Sequence, residues 1–169
     1  TQKITQIVAD DLKEKGLAAM AKRAERATTE GRLFIRQNGN KIALVELTCE
    51  TDFVANNADF IAVGEKLLDV TFEKGYTKVE ADHEAILEPL KVSIRENMKV
   101  AKVEVIDVPA DAVASFYVHS DKKTGAVVVV KGSTADVVKT FAYDCCLHIA
   151  AFTPSSSTLS MYLTGIVGI

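Results

Sequence analysis

No stretch of about 20 consecutive apolar residues occurs in this sequence, so no transmembrane helix is expected and a membrane is not an expected partner. Lysine and arginine do not gather into one long run interleaved with aromatics, and 20 of them stand against 23 Asp and Glu for a net charge of -3. Direct nucleic-acid binding is therefore not expected either. No P-loop, G-x-G-x-x-G or H-E-x-x-H pattern appears, which leaves an enzyme hypothesis without a motif to rest on. Cysteine is limited to Cys49, Cys145 and Cys146, an odd count with two adjacent. That suits a reducing compartment, the cytoplasm or an organelle interior, better than a disulfide framework. The Cys145, Cys146 and His148 group invites a thiol-enzyme reading, but adjacent residues on a helix project about 100° apart, and no third group is in view to orient a Cys-His pair. The start, Thr1-Gln2-Lys3-Ile4, has neither an initiator methionine nor a signal-peptide apolar block, so a processed, engineered or incomplete beginning is expected.

What remains is a chain of 169 residues, 48% hydrophobic and 25% charged, enough for one ordinary domain with a core, or a domain with an appended segment. Residues from Thr5 to Glu30 read as helix, with Ile4, Ile7, Val8, Leu12, Leu17 and Met20 apolar and Gly16 expected to divide it. Its basic residues, Lys13, Lys15, Lys22, Arg23 and Arg26, fit a solvated face or a partner-binding one. From Arg32 the period changes to strand, and Asn38-Gly39-Asn40 between two apolar runs signals a hairpin, because Asn and Gly both tolerate positive φ. Asp59 to Phe72 repeats Phe60, Val63, Leu67 and Leu68 at helical spacing, with Gly75 as its stop. Glu84 to Asn97 is again helical, and Pro89 marks a break or a new first turn. Lys99 to Ile106 alternates as a half-buried strand, with Ala101, Val103 and Val105 on one side.

A second hairpin follows, Val113 to His119 and Gly125 to Lys131, whose run Val127-Val128-Val129-Val130 is too β-branched for helix. Ser133-Thr134-Ala135-Asp136 resembles a cap, and the helix after it is expected to bury a stripe of Val137, Val138, Phe141, Cys145, Ile149 and Phe152 that Pro154 ends. Leu33 to Phe72 and Ser115 to Phe152 thus share one order of elements: strand, turn, apolar strand, short link, helix. The fold class expected is α+β, an antiparallel sheet built from hairpins and covered by amphipathic helices. Three parts are expected: an N-terminal helical segment over 1–31, an α+β core over 32–154, and an apolar tail over 155–169. In the tail Ser155-Ser156-Ser157 reads as linker and Met161 to Val167 as a strand without its hairpin partner.

The stretch that local structure does not explain is Cys49-Glu50-Thr51-Asp52-Phe53-Val54-Ala55-Asn56-Asn57. It links a strand to a helix, a job that calls for turn residues and a cap but not for a large aromatic beside a carboxylate. On the residues alone Phe53 is either a core aromatic fastening the link or a ring held out for a partner. Asp52 is either a local cap acceptor or an exposed charge, and His148 either a buried, hydrogen-bonded group or an exposed contact. Gly125 serves turn geometry, a contact, or both.

Glu46 to Asn57 resembles the signature of the elongation factor Ts family, the guanine-nucleotide exchange factors of elongation factor Tu. Lys13-Glu14-Lys15-Gly16-Leu17, Arg95-Glu96-Asn97-Met98, Thr124-Gly125-Ala126-Val127 and His148-Ile149-Ala150-Ala151 are similar to the family in the same order, so the likeness runs from about Leu12 to Pro154. It implies a protein that catalyses no covalent step, holds no cofactor or metal, and promotes GDP release from a partner GTPase. The implied partner-binding residues are Thr51, Asp52, Phe53, Val54, Thr124, Gly125 and His148. In the family the Asp-Phe pair inserts between helices of the partner's nucleotide-binding domain near its magnesium site, and the hairpin turn and helix histidine contact the same domain. Three departures bear on this. Thr124 stands where the family often has isoleucine, and the family's amino-terminal helical domain is represented by its last helix at most. After Pro154 about 15 residues remain where a long form continues into a second core subdomain and a dimer contact. A truncated piece, a divergent short form and a sequence with residues omitted all fit, and self-association stays open. The alternative function is a scaffold or assembly subunit that keeps the GTPase-binding surface without exchange; a small-molecule-binding domain would need a deep apolar pocket that nothing in the sequence advertises.

Overall fold

A computed structural model describes residues 2–152 and 160–168, with side chains over 6–152. Pro154 as a helix stop and the Ser155–Ser157 linker lie outside the described residues. The elements are α1 (Gln2–Arg23), β1 (Glu30–Asn38), β2 (Lys41–Cys49), α2 (Asp52–Ala55), α3 (Ala58–Lys74), α4 (Ala81–Ile94), β3 (Met98–Asp107), β4 (Ala112–Val118), β5 (Thr124–Lys131), α5 (Asp136–Phe152) and β6 (Ser160–Gly168). The α+β class expected from the sequence is what forms.

The strands make two sheets of three, ordered β1-β2-β3 and β4-β5-β6. Alternation along β2 shows how they are stacked, because successive side chains point to opposite faces. Ala43, Val45, Leu47 and Cys49 pack with Phe60, Leu67 and Leu68 of α3 and Leu87 and Leu90 of α4. Ile42 packs the other way, with Ala112 and Ala114 of β4 and Val127 and Val129 of β5. Beyond that second sheet, Val113, Ala126, Val128 and Val130 meet Ala142 and Cys146 of α5. The order of layers is therefore helices, sheet, sheet, helix. The valine run of β5 is buried on both faces for this reason, which period alone does not reveal. The tail strand, whose partner the sequence left undefined, pairs in parallel with β5, Thr124↔Ser160 to Lys131↔Gly168. Parallel neighbours need a crossover, and α5 lies between them in the chain.

Several local expectations change. Gly39 is at φ 59 and Asn40 is not in the positive-φ set, so Asn38↔Lys41 closes over Gly39-Asn40 with positive φ at the first central residue alone, the requirement of a type II′ turn. Gly16 does not divide α1: a Cβ there would stand 3.3 Å from Val92 Cγ1, so the glycine lets α1 approach α4. The helix ends at Arg23 rather than Glu30, where Asn97 Nδ2 binds the Ala24 and Arg26 carbonyls at 3.1 and 2.6 Å. Pro89 lies inside α4 on its exposed side and does not break it. In β3, Leu47↔Val100 follows Glu46↔Lys102, which leaves Ala101 as the extra residue of a bulge. Met98 and Val100 therefore join Val103 and Val105 against the core, and Ala101 is exposed.

On α5 the buried face is turned from the one expected. Ala142 and Cys146 are fully buried and Val138, Cys145 and Ile149 partly, whereas Val137, Phe141 and Phe152 are exposed.

Candidate functional site

The motif at Cys49–Asn57 is a tight connection from β2 through α2 to α3. Thr51 is the N-cap of α2, extended at φ -125 and ψ 153, and its Oγ1 accepts the Val54 N–H at 3.4 Å. Asn57 caps α3 in the same way, accepting from Asp59 N at 2.8 Å and Phe60 N at 3.4 Å. Both capping positions are thus filled by other residues, and among the described residues the Asp52 carboxylate makes no hydrogen bond or ion pair. Val54 and Ala55 point into the core, so Asp52 and Phe53 point out. The Phe53 ring is 84% exposed, the largest value among the exposed large hydrophobic residues. That excludes the core-aromatic reading.

Both ends of α2 are fixed from elsewhere in the chain. Arg32 Nη1 donates to the Ala55 carbonyl at 3.3 Å. Glu96, in the link between α4 and β3, accepts from Glu50 N and Thr51 N at 3.2 Å each and from the Thr51 hydroxyl at 2.7 Å. Cys49 is fully buried and its thiol is pushed up to about 12, by burial first and then by the charges of Glu96 and Glu30. It is a packing residue, inert at neutral pH.

The second hairpin turn docks beside the strand that holds α2. The Lys122 carbonyl accepts Leu33 N–H of β1 at 2.7 Å, and Lys123 pairs with Glu30. Residues 30–33 of β1 therefore tie down α2 through Arg32 and the turn through Glu30 and Leu33. Within the turn Asp121 Oδ1 accepts from Lys123 N at 2.9 Å and Thr124 N at 3.1 Å. Burial works to raise the Asp121 carboxyl, but these backbone N–H groups outweigh it and its pKa lies below the ordinary value. Thr124 is half-buried, its hydroxyl 3.3 Å from Asp121 Oδ2. The residue with positive φ in this turn is Lys122, at 61. Gly125 is a buried strand residue whose added Cβ would come within 2.5 Å of Leu33 Cδ2 and 3.2 Å of Ile35 Cδ1. Gly125 permits close approach of the sheets, and the turn geometry, one of its expected uses, falls to Lys122 instead.

His148 lies apart. It is exposed on α5, stacked on Phe152 with ring centroids 6.3 Å apart and planes within 7°. The start of α5 lies by Ala112–Ala114, and Tyr143 reaches Tyr117 at 6.2 Å, so the helix runs back toward the Thr124–Gly125 end of the hairpin and carries His148 that way. Cys146 beside it is buried, donates to the Ser115 carbonyl at 3.4 Å, and is pushed up to about 11 by burial first. That is the reverse of an activated nucleophile. Of the residues singled out in the sequence, Asp52 and Phe53 form a projection, Thr124 and Gly125 are joined to it through β1, Thr51 and Val54 support it from below, and His148 stands on a separate helix. Arg32, Glu96, Lys122 and Lys123 were not foreseen in these positions; each acts on residues more than 20 positions away or across a sheet boundary, which no local period encodes.

Among the described residues no cluster of His, Cys, Asp and Glu is set to hold a metal ion, and no helix is long and apolar enough to cross a membrane. Residues 50–160 match the family model described as Elongation factor TS. The chain is 47% identical over 148 residues to Elongation factor Ts of Treponema denticola, covering 85% of this chain and 53% of that protein. It is 42% identical over 159 residues to Elongation factor Ts of Treponema pallidum, and 37% over 151 residues to that of Borrelia duttonii, covering 55% and 54% of those proteins and 85% of this chain in each case. The chain thus spans about half the length of the curated relatives it matches.

Proposed function

The chain belongs to the elongation factor Ts family, and from that premise we propose that it promotes GDP release from elongation factor Tu, with Asp52 and Phe53 as the inserting pair. The observation that carries this reading is the Phe53 ring, 84% exposed on a helical turn that is otherwise capped and pinned. A phenylalanine left in water on a well-supported turn gains about 1.5–3 kcal/mol when a partner buries it, the size of an interface hot spot. The exchange factor must bind the nucleotide-free partner more tightly than the GDP-bound one, and linkage then makes GDP weaken the complex by the same factor. Asp52 carries an unpaired carboxylate next to the ring, and a negative charge brought toward bound magnesium and phosphates destabilises that site. No covalent step is involved, so the protein is a catalyst of exchange and not of a chemical reaction. Thr124 and His148 extend the contact surface, Gly125 lies buried beneath the turn, and the strands and helices from Glu30 onward are the platform to which the α1 segment is appended. A translation factor of this kind works in the cytoplasm or an organelle interior.

The alternative reading is a scaffold that keeps the GTPase-binding surface without promoting exchange. Stopped-flow release of a fluorescent GDP from elongation factor Tu separates the two. Exchange predicts acceleration that Phe53→Ala largely removes; a scaffold predicts binding without acceleration.

A further inference from the structure

Phe53 poses a mechanical problem. Its ring has no packing of its own to fix its direction, and α2 is a single turn of four residues, too short to keep its shape alone. Val54 and Ala55 hold its buried side and Arg32 its C-terminal carbonyl. The hold at the N-terminal end comes from Glu96, 45 residues beyond Thr51. One Glu96 oxygen accepts two backbone N–H groups, those of Glu50 and Thr51, and the other accepts the Thr51 hydroxyl at 2.7 Å. A hydroxyl has one proton to give. With that proton committed to Glu96, a lone pair of Thr51 Oγ1 is left facing Val54 N–H, which makes the cap bond. The link that carries Glu96 is locked in return, since the Glu50 carboxylate accepts Asn97 N–H at 2.6 Å. Each connection holds the other, and one of them carries the wedge.

We propose that Glu96 is the positioning residue of the Asp52–Phe53 projection: it orients the Thr51 cap, fixes the direction in which Phe53 stands, and sets the exchange rate without forming part of the projecting surface. The link to exchange rests on the reading of Phe53 as the wedge. The positioning itself does not.

The sequence contains no tryptophan, so Phe53→Trp in the full chain places a single indole at the projection. Time-resolved fluorescence anisotropy of the free chain then reports local motion with no partner present. With Glu96 in place the decay contains only the rotamer motion of an exposed side chain on a fixed turn, beside the tumbling of the whole chain. Glu96→Ala is expected to add a nanosecond local motion that removes roughly half of the initial anisotropy. Glu96→Gln, which keeps one acceptor oxygen but turns the other into a donor, should remove a smaller part; it decides the matter should Glu96→Ala not fold. Identical decays with Glu, Gln and Ala at position 96 overturn the proposal. In GDP release from elongation factor Tu, Glu96→Ala on the otherwise unchanged chain should lower the maximal acceleration about tenfold, with a smaller change in the concentration for half effect. If Phe53→Ala abolishes acceleration while both Glu96 variants retain it, the proposal falls and the exchange reading stands. If Phe53→Ala leaves release unchanged, the exchange reading falls and the anisotropy alone decides the role of Glu96.

Discussion

The two sheets, laid back to back, use their helices differently. Against the first sheet, α3 and α4 bury Phe60, Leu67, Leu68 and Leu87 to 1% exposure or less, and Arg36 of β1 ties the outside of α3 through Asp69 and Glu65 at 2.6 and 2.8 Å. Against the second sheet, α5 fully buries only the small Ala142 and Cys146 and leaves Val137, Phe141 and Phe152 in water. Phe60 and Phe141 are both aromatic residues on amphipathic helices, yet one is at 0% and the other at 57% exposure. In the first half, α3 and α4 bury their large apolar side chains against the sheet, with Val92 of α4 the one left exposed among the described residues of these two helices. The second half, and the α2 turn between β2 and α3, leave large apolar side chains in water.

The largest test of this contrast is Phe60→Ala. Deleting a fully buried phenylalanine should lower stability by about 3–5 kcal/mol, read as a shift in the urea midpoint with unchanged slope. A loss near zero would place α3 in the same class as α5. Next come the close approaches. Gly64 lies under the Phe34 ring, whose atoms would stand 2.0–2.4 Å from an added Cβ, while a Cβ on Gly125 would meet the more yielding ends of Leu33 and Ile35 at 2.5 and 3.2 Å and the Tyr117 carbonyl oxygen at 3.2 Å. Gly64→Ala should therefore cost about 1–3 kcal/mol and Gly125→Ala the lower part of that range. Equal or reversed costs, measured by the same unfolding curves, would show that the α3–sheet contact at Gly64 is no tighter than the sheet–sheet contact at Gly125.

Titration sharpens the comparison further. His83 of α4 is fully buried; its Nδ1 accepts Glu80 N–H at 2.9 Å and its Nε2 lies 3.0 Å from Thr71 Oγ1, whose proton goes to the Leu67 carbonyl. This is the arrangement of a neutral imidazole carrying its proton on Nε2. Burial, the leading cause, holds its pKa below the ordinary value. The unfolded chain then takes up a proton that the folded chain refuses, so stability falls as pH drops through about 6.5 and is unaffected above it. In the second half Asp121 has a lowered pKa, so its contribution is present above the ordinary aspartate value and is lost only as pH falls below about 3.9. Hydrogen exchange followed from pH 7.5 to 5 should accordingly show the α3–α4 half loosening while the second hairpin turn does not, and His83→Phe should flatten the response. The smallest effects belong to the exposed stripe: Phe141→Ala and Phe152→Ala should change stability by no more than about 0.5 kcal/mol.

How far these differences are legible in the sequence follows from their range. The hairpin between β1 and β2, the Gly75 end of α3 and the location of the motif between strand and helix are encoded in neighbouring residues and form as read, although the hairpin turn closes over Gly39-Asn40 with positive φ at Gly39 alone. Gly16 and Pro89 read as interruptions because propensity is local; α1 and α4 continue through them, Gly16 at their point of close approach. The face that α5 turns inward was misjudged because two adjacent stripes of that helix are both apolar, and period cannot choose between them. The bulge at Ala101 and the task of Gly125 are set by a partner strand and by the other sheet. At the site, Phe53 stood out because no local job required it, whereas the support from Glu96 and Arg32 spans 45 and 23 residues and leaves no periodic trace.

The most direct test is the affinity of the full chain for nucleotide-free against GDP-bound elongation factor Tu, measured for the unaltered chain and for Phe53→Ala alongside the urea midpoint of each. The account predicts a strong preference for the nucleotide-free partner that Phe53→Ala reduces by about 10–100-fold, since about 1.5–3 kcal/mol of burial is removed, with the midpoint essentially unmoved. A preference that survives the substitution, or one that falls only in step with lost stability, would contradict it.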